Sequence, residues 1–306
     1  MTSLQQLRYL VAVADTLHFR RAAEATNVTQ PTLSGQLREL EERLGVQLVE
    51  RSRTRVLLTP IGEAIAVRAR TVLRDVQDIT ELARHGQSLL GGTIRLGILH
   101  SLGPYLLPHI LPELHQTYPK LKLYVREAMP NTLLSSLEEG RLDLLILPLP
   151  VRGADLQNAR LFREPLWVVA PSDHRLAAKE HVARSDLKGE TVLTLEQGHR
   201  LHDQVRGLCE EFGASLSLDY EGTSLDALRQ MVGMGMGISL LPALYVRAEV
   251  IQDKQVVARQ MHSRASFRMI GMVWRRRSPR QNEYLALAGL VRGILKGRVQ
   301  EVAVME

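Results

Sequence analysis

The stretch FRRAAEATNVTQPTLSGQLRELEERLGVQLVERS, Phe19–Ser52, reads as a helix, a tight turn, a second helix and the start of a basic wing. Ala22, Ala23 and Ala25 are small and helix-favouring, so two helices can pack closely there. Asn27-Val28 interrupts the pattern. Thr29 stands where an N-cap belongs, and Pro31 falls in the first turn, where its missing N–H costs nothing. Leu33, Leu37, Leu40 and Leu44 then recur at three- and four-residue spacing, predicting one apolar helical face that ends at Gly45. The opposite face opens with Gln30, Pro31, Thr32, Ser34, Gln36 and Arg38. Short hydrogen-bonding side chains at a helix N-terminus suit the base edges of a major groove.

Outward from this stretch, charge and size bound the possibilities. The chain has 306 residues, enough for more than one domain. Its net charge of +6 is compatible with a polyanionic partner. The local balance is less one-sided: eight arginines and six acidic residues precede Thr59. The first lysine is Lys120, so this region uses arginine alone, notably Arg20, Arg21, Arg51, Arg53 and Arg55. Arginine suits bidentate contacts with phosphate and guanine. Cys209 is the one cysteine, which excludes an intrachain disulfide and predicts a cytoplasmic setting. The longest apolar runs are short and broken by proline, so no membrane span is expected.

Residues 4–15 form a first amphipathic helix ahead of the quoted stretch, and Gln47–Arg51 with Arg55–Leu58 predict a two-stranded wing around Ser52–Thr54. Thr59-Pro60 starts a long helix. Its Ile65, Ala69, Val72, Val76, Ile79 and Ala83 repeat at alternating spacings of four and three, a coiled-coil seam for a second copy of the same helix. Gly86 and Gly91-Gly92 then make a hinge. Beyond it, strand and helix alternate to the C-terminus. Repeated βα units predict a mostly parallel, helix-covered sheet in two small lobes with a crevice between them.

These residues resemble those of the LysR-type transcriptional regulators over the full length. The resemblance implies an α/β chain of three parts. Residues 1–59 would be a winged helix-turn-helix that binds double-stranded DNA, and residues 60–90 a dimerising linker helix and hinge. Residues 91–306 would be an effector-binding domain like a periplasmic binding protein, with lobe I at about 91–164 plus 268–306 and lobe II at about 165–267. The recognition helix would place Gln30, Pro31, Thr32 and Ser34 at base edges and phosphates, with Arg51, Arg53 and Arg55 on the backbone. The expected partners are DNA, further copies of the chain, RNA polymerase and a small-molecule effector, with no enzymatic activity, cofactor or metal.

Within that family the effector region resembles the OxyR peroxide sensors, through GPYLLPHILPELHQTYPKL (103–121), LEQGH (195–199), TSLDALRQMV (223–232) and GISLLPAL (237–244). In those sensors a G-H-C-L-R-D-Q…C segment carries a reactive cysteine and a second that resolves it. Here the segment is Gly198-His199-Arg200-Leu201-His202-Asp203-Gln204, ending at Cys209. The resolving position is kept, the reactive one is Arg200, a neighbouring arginine is His202 and a pocket threonine is Pro130. Ser101 and Arg268 keep the pocket pattern. Arginine has no thiol to react with peroxide.

The expected effector is therefore a small anion held by Arg200 at a helix N-terminus. His100, Ser101, Pro130, Asn131, His199, His202, Thr223, Ser224 and Arg268 are expected to line the site. The bland alternative for Arg200 is solvation, or pairing with Asp203 or Glu196. Cys209, on an apolar helix face with Val205 and Leu208, is expected to be buried, with residual redox chemistry as its alternative. The alternatives for the whole chain are a peroxide-responsive activator working without the disulfide, and a solute-binding or enzymatic α/β protein with an appended helix-turn-helix.

Two further signals carry no site. Gly233–Gly237 has glycines between helix and strand, the reverse of a dinucleotide fingerprint, and predicts a close backbone approach. The basic run Trp274–Arg280 predicts a solvated loop, with a DNA or anion contact as the alternative.

Overall fold

The computed structural model describes residues 2–51, 56–85, 90–261 and 266–305. Arg53, Arg55 and the wing tip lie outside them, as do the side chains of Arg51 and Ala83. Two compact units emerge, residues 1–88 with 138–141, and residues 89–137 with 142–306.

The first unit contains α1 (Leu4–Thr16), α2 (Phe19–Ala25), α3 (Gln30–Leu44), β1 (Val49–Arg51), β2 (Val56–Leu58) and α4 (Pro60–His85). Thr29 caps α3, its side chain accepting from Thr32 N, and Gly45 closes it in the left-handed conformation at φ 68°. Leu33, Leu37 and Leu40 are fully buried, in one core with Leu10, Val13, Ala22 and Leu48. Leu44, expected on that face, is the last residue of the helix and is 39% exposed. The antiparallel wing pairs Val49 with Leu58. Glu41 accepts from the amides of Leu48 and Val49 at 2.9 and 3.0 Å, so this acid holds the wing rather than opposing DNA.

Thr59 starts α4, its hydroxyl accepting from Gly62 N at 3.0 Å. Gly62 must be glycine, since a Cβ there would lie 2.0 Å from the Leu48 carbonyl oxygen. The expected seam divides in two along α4. Ile65 packs on the unit's own core and Ala69 is buried, while Arg70 pairs with Asp15 of α1 at 2.5 Å. Within the single chain Ala69 is thus covered and Ile65 partly covered. Val72 and Ile79 remain exposed, at 42% and 66%.

The second unit contains β3 (Gly92–Ile98), α5 (Gly103–Thr117), β4 (Leu121–Glu127), α6 (Pro130–Glu138), β5 (Leu144–Leu149) and β6 (Leu156–Pro171). It continues with β7 (His181–Val182), β8 (Thr191–Leu195), α7 (Arg200–Phe212), β9 (Ser215–Gly222) and α8 (Leu225–Gly233). It closes with β10 (Ile238–Pro242), α9 (Ala243–Tyr245), β11 (Val256–Met261), β12 (Phe267–Arg275), α10 (Gln281–Arg298) and β13 (Ala303–Val304). The strands run β4-β3-β5-β12-β6-β10-β8-β9, with β11 and β13 also on β6.

The sheet is mixed, which corrects the mostly parallel expectation. β3, β4 and β5 are parallel, as are β8, β9 and β10, but β12, β6, β11 and β13 pair antiparallel. The strand expected at 166–170 is the second half of the sixteen-residue β6. Its first half pairs with β12 through Pro165, and its second half pairs with β10 from Leu166 and with β11. Two buried clusters flank this change of partner. One centres on β3, β5, β12, α5 and α10, the other on β6, β8, α7 and α8.

Gly237 meets its expected close approach, a Cβ there falling 2.6 Å from the Thr191 carbonyl oxygen. The basic run is not a solvated loop throughout. Arg275 donates to the carbonyls of Leu137 and Leu142, and Arg280 to those of Thr93 and Gly91. Both arginines close lobe I over its own backbone.

Candidate functional site

Two regions carry candidate residues. In the first unit, Gln30, Pro31 and Thr32 are exposed on the first turn of α3, with Arg38 two turns further on. Arg21 is exposed on α2. Arg20 is paired with Glu24 at 3.1 Å, and Arg43 with Glu39, so these acids answer local arginines along their own helices. Gln36 is half-buried, accepting from Gln6 at 3.4 Å and donating to Glu39 at 3.1 Å, so its place is partly structural. Ser34 is half-buried beside it.

In the second unit the structure joins some of the candidate residues and leaves others apart. α7 begins at Arg200, after Gly198 in the left-handed region (φ 96°) and His199, whose side chain makes no cap. Arg200 Nη1 donates to the Pro150 carbonyl at 2.7 Å, reaching from lobe II to the end of β5 in lobe I. It is therefore neither simply solvated nor paired with Asp203 or Glu196. One turn later Gln204 Nε2 donates to the Phe267 carbonyl at 2.8 Å, at the start of β12. Gly198 faces Met129, whose methyl would stand 3.3 Å from a Cβ at that position. Met129 adjoins Pro130, which is buried, and Asn131, which is exposed on α6.

Ser101 and Arg268 do come together, but with each other. Arg268 donates through Nη1 and Nη2 to the hydroxyl and carbonyl of Ser101, at 3.1 and 2.8 Å. Its Nε donates to Glu164 at 2.6 Å, and the other Glu164 oxygen accepts from Leu244 N at 3.0 Å. Glu164 is 0% exposed and Arg268 3%. A buried ion pair so hydrogen-bonded meets the requirement for keeping charge out of water. It also commits the Arg268 guanidinium, so Arg268 and Ser101 are bonded to each other instead of being offered to a ligand. Ser224 likewise caps α8, accepting from Ala227 N at 3.1 Å. Thr223 is exposed beside it, and no hydrogen bond joins either residue to Arg200 among the described residues.

His100 is exposed, His202 is buried with Nδ1 3.4 Å from Asp203, and His199 lies 3.8 Å from Glu196. Burial holds the His199 pKa below its ordinary value; Glu196 opposes this, and His100 and His202 add to it. Cys209 is 3% exposed in the lobe II core, and burial, with Glu210, pushes its thiol up to about 11. A protonated, covered thiol is a poor nucleophile. Among the described residues no cluster of histidine, cysteine or carboxylate side chains is placed to hold a metal ion, and no helix is long and apolar enough to cross a membrane.

Sequence reasoning misses Glu164, Gln204, Met129 and Pro150. Glu164 leaves a faint signal, a carboxylate at the head of the apolar run LWVVA. The other three are legible only through partners distant in sequence.

Both regions fall within matches to known proteins. Residues 4–63 match the family described as bacterial regulatory helix-turn-helix protein, lysR family, and residues 87–295 match the LysR substrate binding domain. The DNA-binding transcriptional dual regulator OxyR of Escherichia coli K12 is 43% identical over 300 residues, 98% of each chain. The HTH-type transcriptional regulator EstR of Acinetobacter baylyi is 34% identical, over 96% of this chain and 97% of the relative. The structure of a full-length OxyR point variant from Pseudomonas aeruginosa superposes with a TM-score of 0.80 at 36% identity, covering 95% of each chain. The α3 surface and the two-lobed unit thus belong to one scheme, and the chain is a member of the LysR family of DNA-binding transcriptional regulators, homologous to OxyR.

Proposed function

We propose that this regulator is switched by a small anion at the junction of the two lobes and not by a thiol. The carrying observation is the guanidinium of Arg200, set at the uncapped N-terminus of α7 and reaching across to the Pro150 carbonyl. Arginine has five donors in a planar fork, which suits a carboxylate, sulfate or phosphate. His100, His199, Asn131 and the first-turn amides of α7 would complete the site, with Thr223 on its far side. The burial and raised pKa of Cys209, the only thiol, support the non-redox part of the reading.

At the other end of the chain, Gln30, Pro31, Thr32, Ser34 and Arg38 would meet base edges and phosphates, with Arg20, Arg21, Arg51, Arg53 and Arg55 on the backbone. The exposed Val72 and Ile79, with Val76 between them, would join two copies through α4. A dimer would read half-sites about one helical turn apart, and contact with RNA polymerase would follow from that placement.

A second reading has its own support. Several relatives, including one from Dickeya chrysanthemi at 43% identity, are named hydrogen peroxide-inducible genes activators. One experiment separates the two. Gel shifts of full-length protein on DNA from upstream of its own gene are run with peroxide, with reductant, and with sulfate or small carboxylates. The anion reading expects retardation insensitive to peroxide and altered by an anion that calorimetry shows to bind. Peroxide-dependent binding abolished by Cys209→Ser would replace it with the redox reading. Loss of all specific DNA binding would overturn both.

A further inference from the structure

We propose that the first turn of α7 is a latch between the lobes, and that an anion bound by Arg200 opens it. The gating half rests on the anion reading above; the latch itself does not. Two hydrogen bonds carry it, both from the start of α7. Arg200 holds the Pro150 carbonyl at 2.7 Å, and Gln204 holds the Phe267 carbonyl at 2.8 Å. Arg200 and Gln204 are one helical turn apart and so share a face. That face is turned away from the lobe II core, which takes Leu201, Val205, Leu208 and Cys209 instead.

The gripped positions matter. Pro150 follows β5 and leads into β6, the strand common to both lobes, and Phe267 pairs with Pro165 next to the β6 change of partner. The latch therefore holds the end of β5 in lobe I and, at Phe267, one of the two segments that run between the lobes. Neither contact is visible as a charge pair in the sequence, because both acceptors are backbone carbonyls.

The same choice of acceptor makes the latch releasable. A guanidinium bound to a neutral carbonyl gains more by turning to an anion, where both partners are charged and two parallel bonds form. An arriving sulfate or carboxylate exchanges one Arg200 contact for another and frees residues 150–153 from lobe II. Gln204 has no charge to be drawn away, so it remains as the pivot. The signal is thereby a competition for one side chain and needs no oxidant.

Hydrogen exchange of full-length protein, read by mass spectrometry, tests both halves. Arg200→Ala is expected to speed exchange of the strand amides at Leu147–Leu149 in β5 and Phe267–Met269 in β12, and of Gln204–Arg206 in α7, about tenfold, the effect of losing a charged hydrogen bond from a local opening. Arg200→Lys should fall between, since an ammonium can still donate. Arg206→Ala, on the exposed side of the same helix, should leave residues 147–149 at the wild-type rate. Wild-type exchange at 147–149 in Arg200→Ala overturns the latch. If Arg200→Ala does not fold, Gln204→Ala decides, and unchanged exchange at 204–206 and 267–269 overturns it.

Sulfate at constant ionic strength should speed exchange at 147–149 in the wild type and not in Arg200→Ala. Sulfate that binds by calorimetry yet leaves 147–149 unchanged overturns the gating and spares the anion reading. If sulfate, phosphate and small carboxylates all fail to bind, the anion reading falls and the gating with it, while the Arg200→Ala exchange still decides the latch.

Discussion

The N-termini of α3 and α7 begin with the same difficulty and meet it in opposite ways. Each helix starts with backbone N–H groups that have no partner within the helix. In α3 the answer is local: Thr29 supplies the cap, Pro31 removes one donor, and the exposed side chains are left for an outside partner. In α7 the cap is missing, and the first residue sends its side chain out to a carbonyl fifty positions away in the chain. A recognition surface needs side chains held still and otherwise idle. A switch needs a side chain already engaged, with something to exchange.

Perturbing each end should therefore reach different distances. The largest effect is expected at the buried Glu164–Arg268 pair. Arg268→Ala strands Glu164, which is 0% exposed, and should cost the effector unit about 3–5 kcal/mol, as for other broken buried ion pairs. Urea unfolding with exchange read over residues 90–305 measures it. Unchanged stability there would mean that the α7 side of the molecule does not depend on this pair. Thr29→Ala is expected to cost about 1 kcal/mol, confined to α3 and its packing partners. Exchange rising throughout residues 90–305 in that variant would erase the distinction between local and long-range solutions.

The smallest effect concerns pH. Burial favours neutral His199, so its pKa in the folded protein lies below the ordinary 6.5. Above pH 6.5 both folded and unfolded forms are neutral there, and no penalty arises. As pH falls through 6.5 the unfolded chain takes up the proton first, and stability declines until the folded pKa is passed. Melting at pH 7.5 and 5.5 should show a smaller loss in His199→Asn than in the wild type. His109 is held low in the same direction and contributes to both proteins alike, so the difference isolates His199.

The same contrast explains which elements are legible in the sequence. α3 is legible down to its cap because its determinants lie close together in the chain and obey helical spacing. Its exposed and buried faces follow from Leu33, Leu37 and Leu40 alone. β6 is half legible. Leu166–Ala170 forms an apolar run, but Leu156–Arg163 carries Gln157, Asn158, Arg160 and Arg163, which disguise a strand whose polar side faces outward. β11 hides in the same way behind Arg259 and Gln260. The α4 seam has the right periodicity, but spacing reports an apolar stripe and not what covers it. At the candidate site, Arg200 stands out by its chemistry. Its partner Pro150, and the Glu164–Arg268 pair spanning 104 positions, depend on topology that no local pattern encodes.

The path of β6 has a consequence for how this unit can be taken apart. One strand lies between β12 and β13 in lobe I and, past Pro165, between β10 and β11 in lobe II. A segment cut out to give lobe II alone would either lose a strand or carry one whose former neighbours are gone. The lobes are two bodies by their cores and one piece by their chain.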